Sequence, residues 1–148
     1  MLVGYVDGDY AGDEDNRRST SGYALTLSHG DDVNTIDWKA KQQDVVALSS
    51  AKSELISARS ATHTSALYIR QLLMDLGSKQ DKPTMIMEDN QACIAMSNNP
   101  ITHKRTKHID VRYHFVREKV ESKEVKLAYA PTQHHLADIL TKPSLSIP

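Results

Sequence analysis

Two short apolar runs in this chain each give way to an acid followed by a small or amide residue. Leu2-Val3-Gly4-Tyr5-Val6 precedes Asp7-Gly8, and Thr84-Met85-Ile86-Met87 precedes Glu88-Asp89-Asn90. Runs of this length and makeup suit central strands. An acid at the carboxyl end of such a strand lies where open α/β sheets place their sites. If the two strands are parallel neighbours, both aspartates emerge at one edge of the sheet. Taken alone, the first run also reads as a strand followed by an ordinary Asp-Gly turn.

The remaining pattern supplies the rest of that sheet. A polar loop over 12–21 leads to strands over 22–27 and 35–40, joined by a turn over 28–34. Three strands with short connections predict an antiparallel meander. Ser49 or Ser50 can cap a helix over 51–76, in which Leu55, Ala58, Thr62, Ala66, Ile69, Leu72, Leu73 and Leu76 recur at helical spacing and Gly77 is the stop. The strand over 84–87 follows, then a short helix over 91–98 broken at Asn99-Pro100. A second long helix over 106–121 carries Ile109, Tyr113, Val116 and Val120 on one face. A strand over 125–129 and a last helix over 133–141 complete the order. One mixed sheet with helices packed on it is the expected α/β architecture.

Composition narrows the class. A chain of 148 residues, 39% hydrophobic and 25% charged, fits one folded domain. A net charge of −1 provides no global basic field, so any nucleic-acid contact must come from a local patch. The single cysteine, Cys93, excludes an internal disulfide, suggests a reducing compartment and is expected to pack in the core. No apolar run approaches a membrane span and no secretory leader is visible. The strand directly after Met1 is expected of a piece of a longer chain.

Two further acids belong with Asp7 and Asp89. Glu54 is expected in the first turn of the long helix, where the dipole favours a carboxylate, with small Ser53, Ser57 and Ala58 around it. Asp138 stands at the start of the last helix, between Ala137 and Ile139. Four gathered carboxylates repel one another, and a hard divalent cation such as Mg²⁺ removes that cost. Two such ions about 4 Å apart serve phosphodiester hydrolysis. The plain alternative is four solvated acids among the chain's 19. Gly8, Asn90 and Gln91 lie beside these acids and could reach a nucleic-acid minor groove, although Asn90 equally suits a helix cap. Lys104, Arg105, Lys107, Arg112 and Lys119 form a basic run that could track phosphates or simply face solvent.

Four stretches, GYVDGDYAGDEDNRRSTSGYALTL, IDWKAKQQDVVALSSAKSELISA, EDNQACIAMSNNPITHKRTKHIDVRYHFVREKV and TQHHLADILTK, cover nearly the whole chain. In this order they resemble the ribonuclease H domain at the C-terminal end of copia-type (Pseudoviridae) retrotransposon polyproteins. The resemblance implies a ribonuclease H-like fold: a five-stranded mixed sheet, its first three strands antiparallel, flanked by helices. It assigns 1–142 to that domain and 143–148 to a tail. It implies hydrolysis of the RNA strand of RNA–DNA hybrids during reverse transcription, with two Mg²⁺ ions that Mn²⁺ can replace. The catalytic and metal-binding carboxylates carry over to Asp7, Glu54, Asp89 and Asp138, with Asp7 shared by both ions. His134 or His135 could assist product release, a surface pair being the simpler reading. The implied partners are the hybrid and the reverse transcriptase domain of the same polyprotein, with no membrane. The implied setting is intracellular, in cytoplasmic retrotransposon particles, with the nucleus as a second compartment.

The chain departs from that family at Lys52, where a glutamate is common, at Tyr10 and Leu55, where larger aromatics are usual, and at His135, where Gln is. None of these removes an expected ligand. A non-catalytic hybrid-binding or structural module from a decayed or repurposed element is the alternative. A DNA-cutting integrase on the same fold is a third reading, which the helix carrying SAKSE after strand three disfavours.

Overall fold

Alternation of apolar residues along the first strand sets the layer order. In the computed structural model, which describes residues 1–98, 111–131 and 136–141 (without the side chains of 111–113, 138 and 139), β1 spans Leu2–Asp9. β2 (Thr20–His29), β3 (Asp32–Gln42), β4 (Thr84–Glu88) and β5 (Val125–Tyr129) complete one sheet in the order β3-β2-β1-β4-β5. β1 pairs antiparallel with β2 and β2 with β3, whereas β1–β4 and β4–β5 are parallel. The parallel neighbours expected from the two acid-ended runs are therefore present. The first three strands run further than their apolar cores suggest, because backbone pairing continues into the polar flanks. As a result Asp7 pairs with Gly22 inside β1 rather than following the strand.

The helices are α1 (Ser50–Ala61), α2 (Leu67–Asp75), α3 (Gln91–Asn98), α4 (Val111–Glu121) and α5 (Asp138–Thr141). A π-turn at Thr62–Ala66 joins α1 to α2, so the expected long helix is continuous but carries an i→i+5 segment. Its extra residue rotates the side chains of α2 relative to those of α1. Leu55, Ala58, Thr62 and Ala66 are buried as expected, while Leu72 and Leu76 are exposed. Gly77, at φ +86, closes the helix, and the Ser78 amide donates to the Leu73 carbonyl at 2.8 Å. Leu136 and Ala137 form a turn, so the last helix begins at Asp138 and not at 133. The expected start of the second long helix and the tail lie outside the described residues.

One core lies between the sheet and the helices. Val6, Tyr23, Leu25, Ile86, Val125 and Leu127 from the strands meet Leu55, Ala58, Ala61, Ala66, Cys93 and Val116. Cys93 is fully buried, as its expected packing role requires. Small residues let α1 settle close to the sheet. A Cβ on Gly8 would stand 2.7 Å from Ser53 Oγ and 3.0 Å from the Ser53 backbone. The bareness of Gly8 thus serves helix packing. A Cβ on Gly4 would instead meet the tips of Ile86 and Leu25 at 2.7 and 3.0 Å. Side-chain tips can turn aside and backbone cannot. Gly8→Ala is therefore expected to cost about 1–3 kcal/mol of stability, more than Gly4→Ala. Urea unfolding of the two variants checks this, and equal costs would contradict it.

Candidate metal and active site

β1 and β4 separate after Tyr5 pairs with Met87, and the acids sit at that divergence. Asp7 extends β1 beyond it, Asp89 is the first residue after β4, and Glu54 projects from α1. Ligand oxygens of these three lie within 4.8 Å of one another. Asp7 is only 4% exposed and Glu54 only 6%. Thr141 of α5 donates its hydroxyl to Asp7 Oδ2, tying the C-terminal helix to the first strand. Gly22 permits that contact, since a Cβ there would lie 2.7 Å from Thr141 Cγ2.

Ser49 caps α1 by accepting from the Lys52 amide at 3.2 Å. Glu54 is then the fifth helical residue and lies in the second turn, a correction to its expected place in the first. The dipole fades beyond the first turn, and burial dominates instead. Ser53, Ser57 and Ala58 are buried. Ser57 Oγ donates to Ser21 Oγ at 3.0 Å, and Gln43 Nε2 donates to Ser21 Oγ at 2.7 Å and to the Ser53 carbonyl at 3.0 Å. This polar seam fixes the rotation of α1 about its axis, and with it the direction of Glu54.

A fourth acid lies beside the cluster, and it is one that the sequence pattern did not single out. Glu88 is fully buried at the end of β4. Its Oε1 accepts from the backbone amides of Asp89 and Asn90, each at 3.0 Å. Its other oxygen, and Glu54 Oε2, are buried with no hydrogen-bond partner among the described residues. The available signal was alternation: Thr84, Ile86 and Glu88 share the face of β4 that turns toward the core. Burial, followed by the charges of Glu88, Asp7 and Asp89, holds the Glu54 carboxyl well above the usual range. Burial likewise raises Glu88, against the lowering effect of the Asn90 amide.

Of the other candidates, Asn90 caps α3 by accepting from the Cys93 amide at 2.9 Å, and Gln91 is exposed at its first turn. The Lys119 ammonium lies 3.1 Å from Glu124 and over the Phe115 ring. Asp138 begins α5, which packs on β1 and β2; its side chain and that of Arg112 lie outside the described portion. Lys104, Arg105, Lys107, His134 and His135 also fall outside the described residues.

The donor set fits a hard divalent cation. It is all oxygen, it is crowded, and Glu54 Oε2 within it, like Glu88 Oε2 beside it, is buried with no hydrogen-bond partner among the described residues. Without a cation, both glutamates with raised pKa retain protons that the unfolded chain gives up near 4.5. Their contribution to stability is then greatest at or below that value and is lost as pH rises from there through the raised pKa values. Glu88→Gln keeps an acceptor for the two amides and removes one ionisation. It is expected to raise apo stability near pH 8 by about 1–2 kcal/mol and to flatten the decline from about pH 5. Thermal unfolding across pH checks this, and parallel curves for both proteins would contradict it.

No family model matches the chain. The retrovirus-related Pol polyprotein from transposon TNT 1-94 of Nicotiana tabacum is 42% identical over 142 residues, 96% of this chain and 10% of that protein. The corresponding polyprotein from transposon RE1 of Arabidopsis thaliana is 39% identical over 144 residues, 96% of this chain and 9% of its own length. The chain thus spans about a tenth of the length of these polyproteins. Among solved structures, LC11-RNase H1 in complex with RNA/DNA hybrid superposes with a TM-score of 0.60 at 14% identity, covering 95% of this chain and 94% of that one. The prototype foamy virus protease-reverse transcriptase gives 0.51 at 11% identity, over 95% of this chain and 20% of that one. The chain is thus similar over nearly all its length to one segment of the retrovirus-related Pol polyproteins, and its own fold is that of ribonuclease H.

Proposed function

We propose that the chain is a divalent-cation-dependent ribonuclease H that cuts the RNA strand of RNA–DNA hybrids. The observation that carries this reading is the meeting of Asp7, Glu54 and Asp89, from three separate elements, within 4.8 Å. Mg²⁺ bound there would supply an electrophile for the scissile phosphate and an activated water. Asp7, Glu54, Asp89 and Asp138 would hold it. Glu88 would orient Asp89 through the two amides it accepts, and Thr141 would hold the Asp7 carboxylate in one orientation. In-line attack of water on the phosphodiester would leave 3′-hydroxyl and 5′-phosphate ends.

In this reading Gly8, Asn90 and Gln91 contact the hybrid's minor groove. Lys104, Arg105, Lys107, Arg112 and Lys119 follow its backbone, and His134 or His135 assists product release. Residues 1–142 make up the catalytic domain, which works with the reverse transcriptase of the same polyprotein inside the cell. The likeness in fold to LC11-RNase H1, solved in complex with RNA/DNA hybrid, supports the substrate class.

Labelled RNA–DNA hybrid incubated with the chain and Mg²⁺ tests the proposal beside Asp89→Asn. Hybrid RNA is expected to be cut, with the variant at least ~10²-fold slower. Chelation should abolish cutting and Mn²⁺ restore it. Binding without cleavage would identify a non-catalytic module, and cutting of duplex DNA instead would refute the assignment.

A further inference from the structure

α2 presents an apolar side to solvent. None of its residues is buried, although most are apolar. Ile69 packs half-buried against the core. Tyr68, Leu72 and Leu76 follow at i, i+4 and i+8, so they fall within about 80° of one another on the helical wheel. Tyr68 is 69% exposed, Leu72 43% and Leu76 75%. Single exposed leucines are ordinary, whereas an aligned apolar stripe marks a contact surface. The stripe is also held in place. Arg70 Nη1 donates to the Lys82 carbonyl at 2.8 Å and to Thr84 Oγ1 at 3.2 Å, and Nη2 donates to the Gln80 carbonyl at 2.8 Å. These bonds fasten α2 to the start of β4.

The sheet register says what lies beside that stripe. Val3 pairs with Met85, so Leu2 stands level with Thr84, the residue that Arg70 reaches. Adjacent strands are about 5 Å apart. Polypeptide leading into β1 would therefore arrive beside α2. In the two Pol polyproteins the matched segment is 10% and 9% of the length, so most of each lies outside it. The foamy virus protease-reverse transcriptase likewise carries a segment of this fold as 20% of its chain. We propose that Tyr68, Leu72 and Leu76 dock against an apolar face of the reverse transcriptase segment of the same polyprotein. This inference rests on the proposed function, in which the two work together, and gives that partnership a surface. The size of the stripe favours a tethered occupant over a second copy of the chain. A stable complex of free molecules takes about 800 Å² from each partner, some 20 residues or more. A partner in the same polypeptide is presented at roughly millimolar effective concentration, so three side chains suffice.

Thiol protection tests this. Cys93 is the chain's single cysteine and is fully buried, so Leu72→Cys puts the one accessible thiol on the stripe. Its alkylation is followed by peptide mass spectrometry in this chain and in the same chain continued through the reverse transcriptase segment of its polyprotein. Alkylation is expected to be about 10-fold slower in the longer polypeptide. Adding Leu76→Ser should restore fast alkylation there, while the unfolding temperature of this chain stays unchanged because Leu76 is exposed. Equal alkylation rates in the two polypeptides would overturn the inference. Protection that grows with the concentration of this chain alone, together with a dimer in sedimentation, would overturn it in favour of a second copy. Neither readout involves cleavage. A longer polypeptide that protects the thiol but cuts no hybrid would sink the catalytic proposal alone.

Discussion

Asp7, Glu54, Glu88 and Asp89 crowd together where three of the four are almost out of water. Like charges in so dry a place cannot all be ionised without compensation. The fold accepts this cost at the point where β1 and β4 part, and much of the remaining structure holds the acids there. Protons on the glutamates are one form of compensation, and a divalent cation is the other. The pressure to exchange the first for the second is therefore built into the chain.

Holding acids in place requires close packing of backbone on backbone. Gly8 admits α1 at Ser53, and Gly22 admits α5 at Thr141, which reaches Asp7. Ser21, Gln43, Ser53 and Ser57 lock the helix to the sheet through a buried hydrogen-bonded seam. An apolar seam would pack as densely but would set the rotation of α1 less sharply, since hydrogen bonds are directional and apolar contacts are not. Thr62, which donates to the Ala58 carbonyl at 2.8 Å, and Ser65, bonded to Tyr23 at 2.8 Å, continue this polar character into the π-turn.

Much of this arrangement is written in local pattern. Apolar runs ending in acids located Asp7 and Asp89, and the parallel pairing of β1 with β4 follows from them. Helical spacing located α1, although an i→i+5 turn leaves no mark in a 3.6-residue period and its phase shift was invisible. Glu88 was overlooked because a charged residue at a strand end reads as solvated, while strict alternation from Ile86 pointed inward. The turn assignment of Glu54 depended on which serine capped the helix, a choice decided by geometry that composition does not carry.

The central claim is that cation binding replaces protons held on the buried glutamates. Calorimetric titration of the chain with Mg²⁺ near neutral pH, in buffers of different ionisation enthalpy, measures those protons directly. The account predicts a heat that varies with the buffer, corresponding to net proton release, and a smaller release from Glu88→Gln. Binding with a heat independent of buffer would show the carboxylates already ionised, and would contradict it.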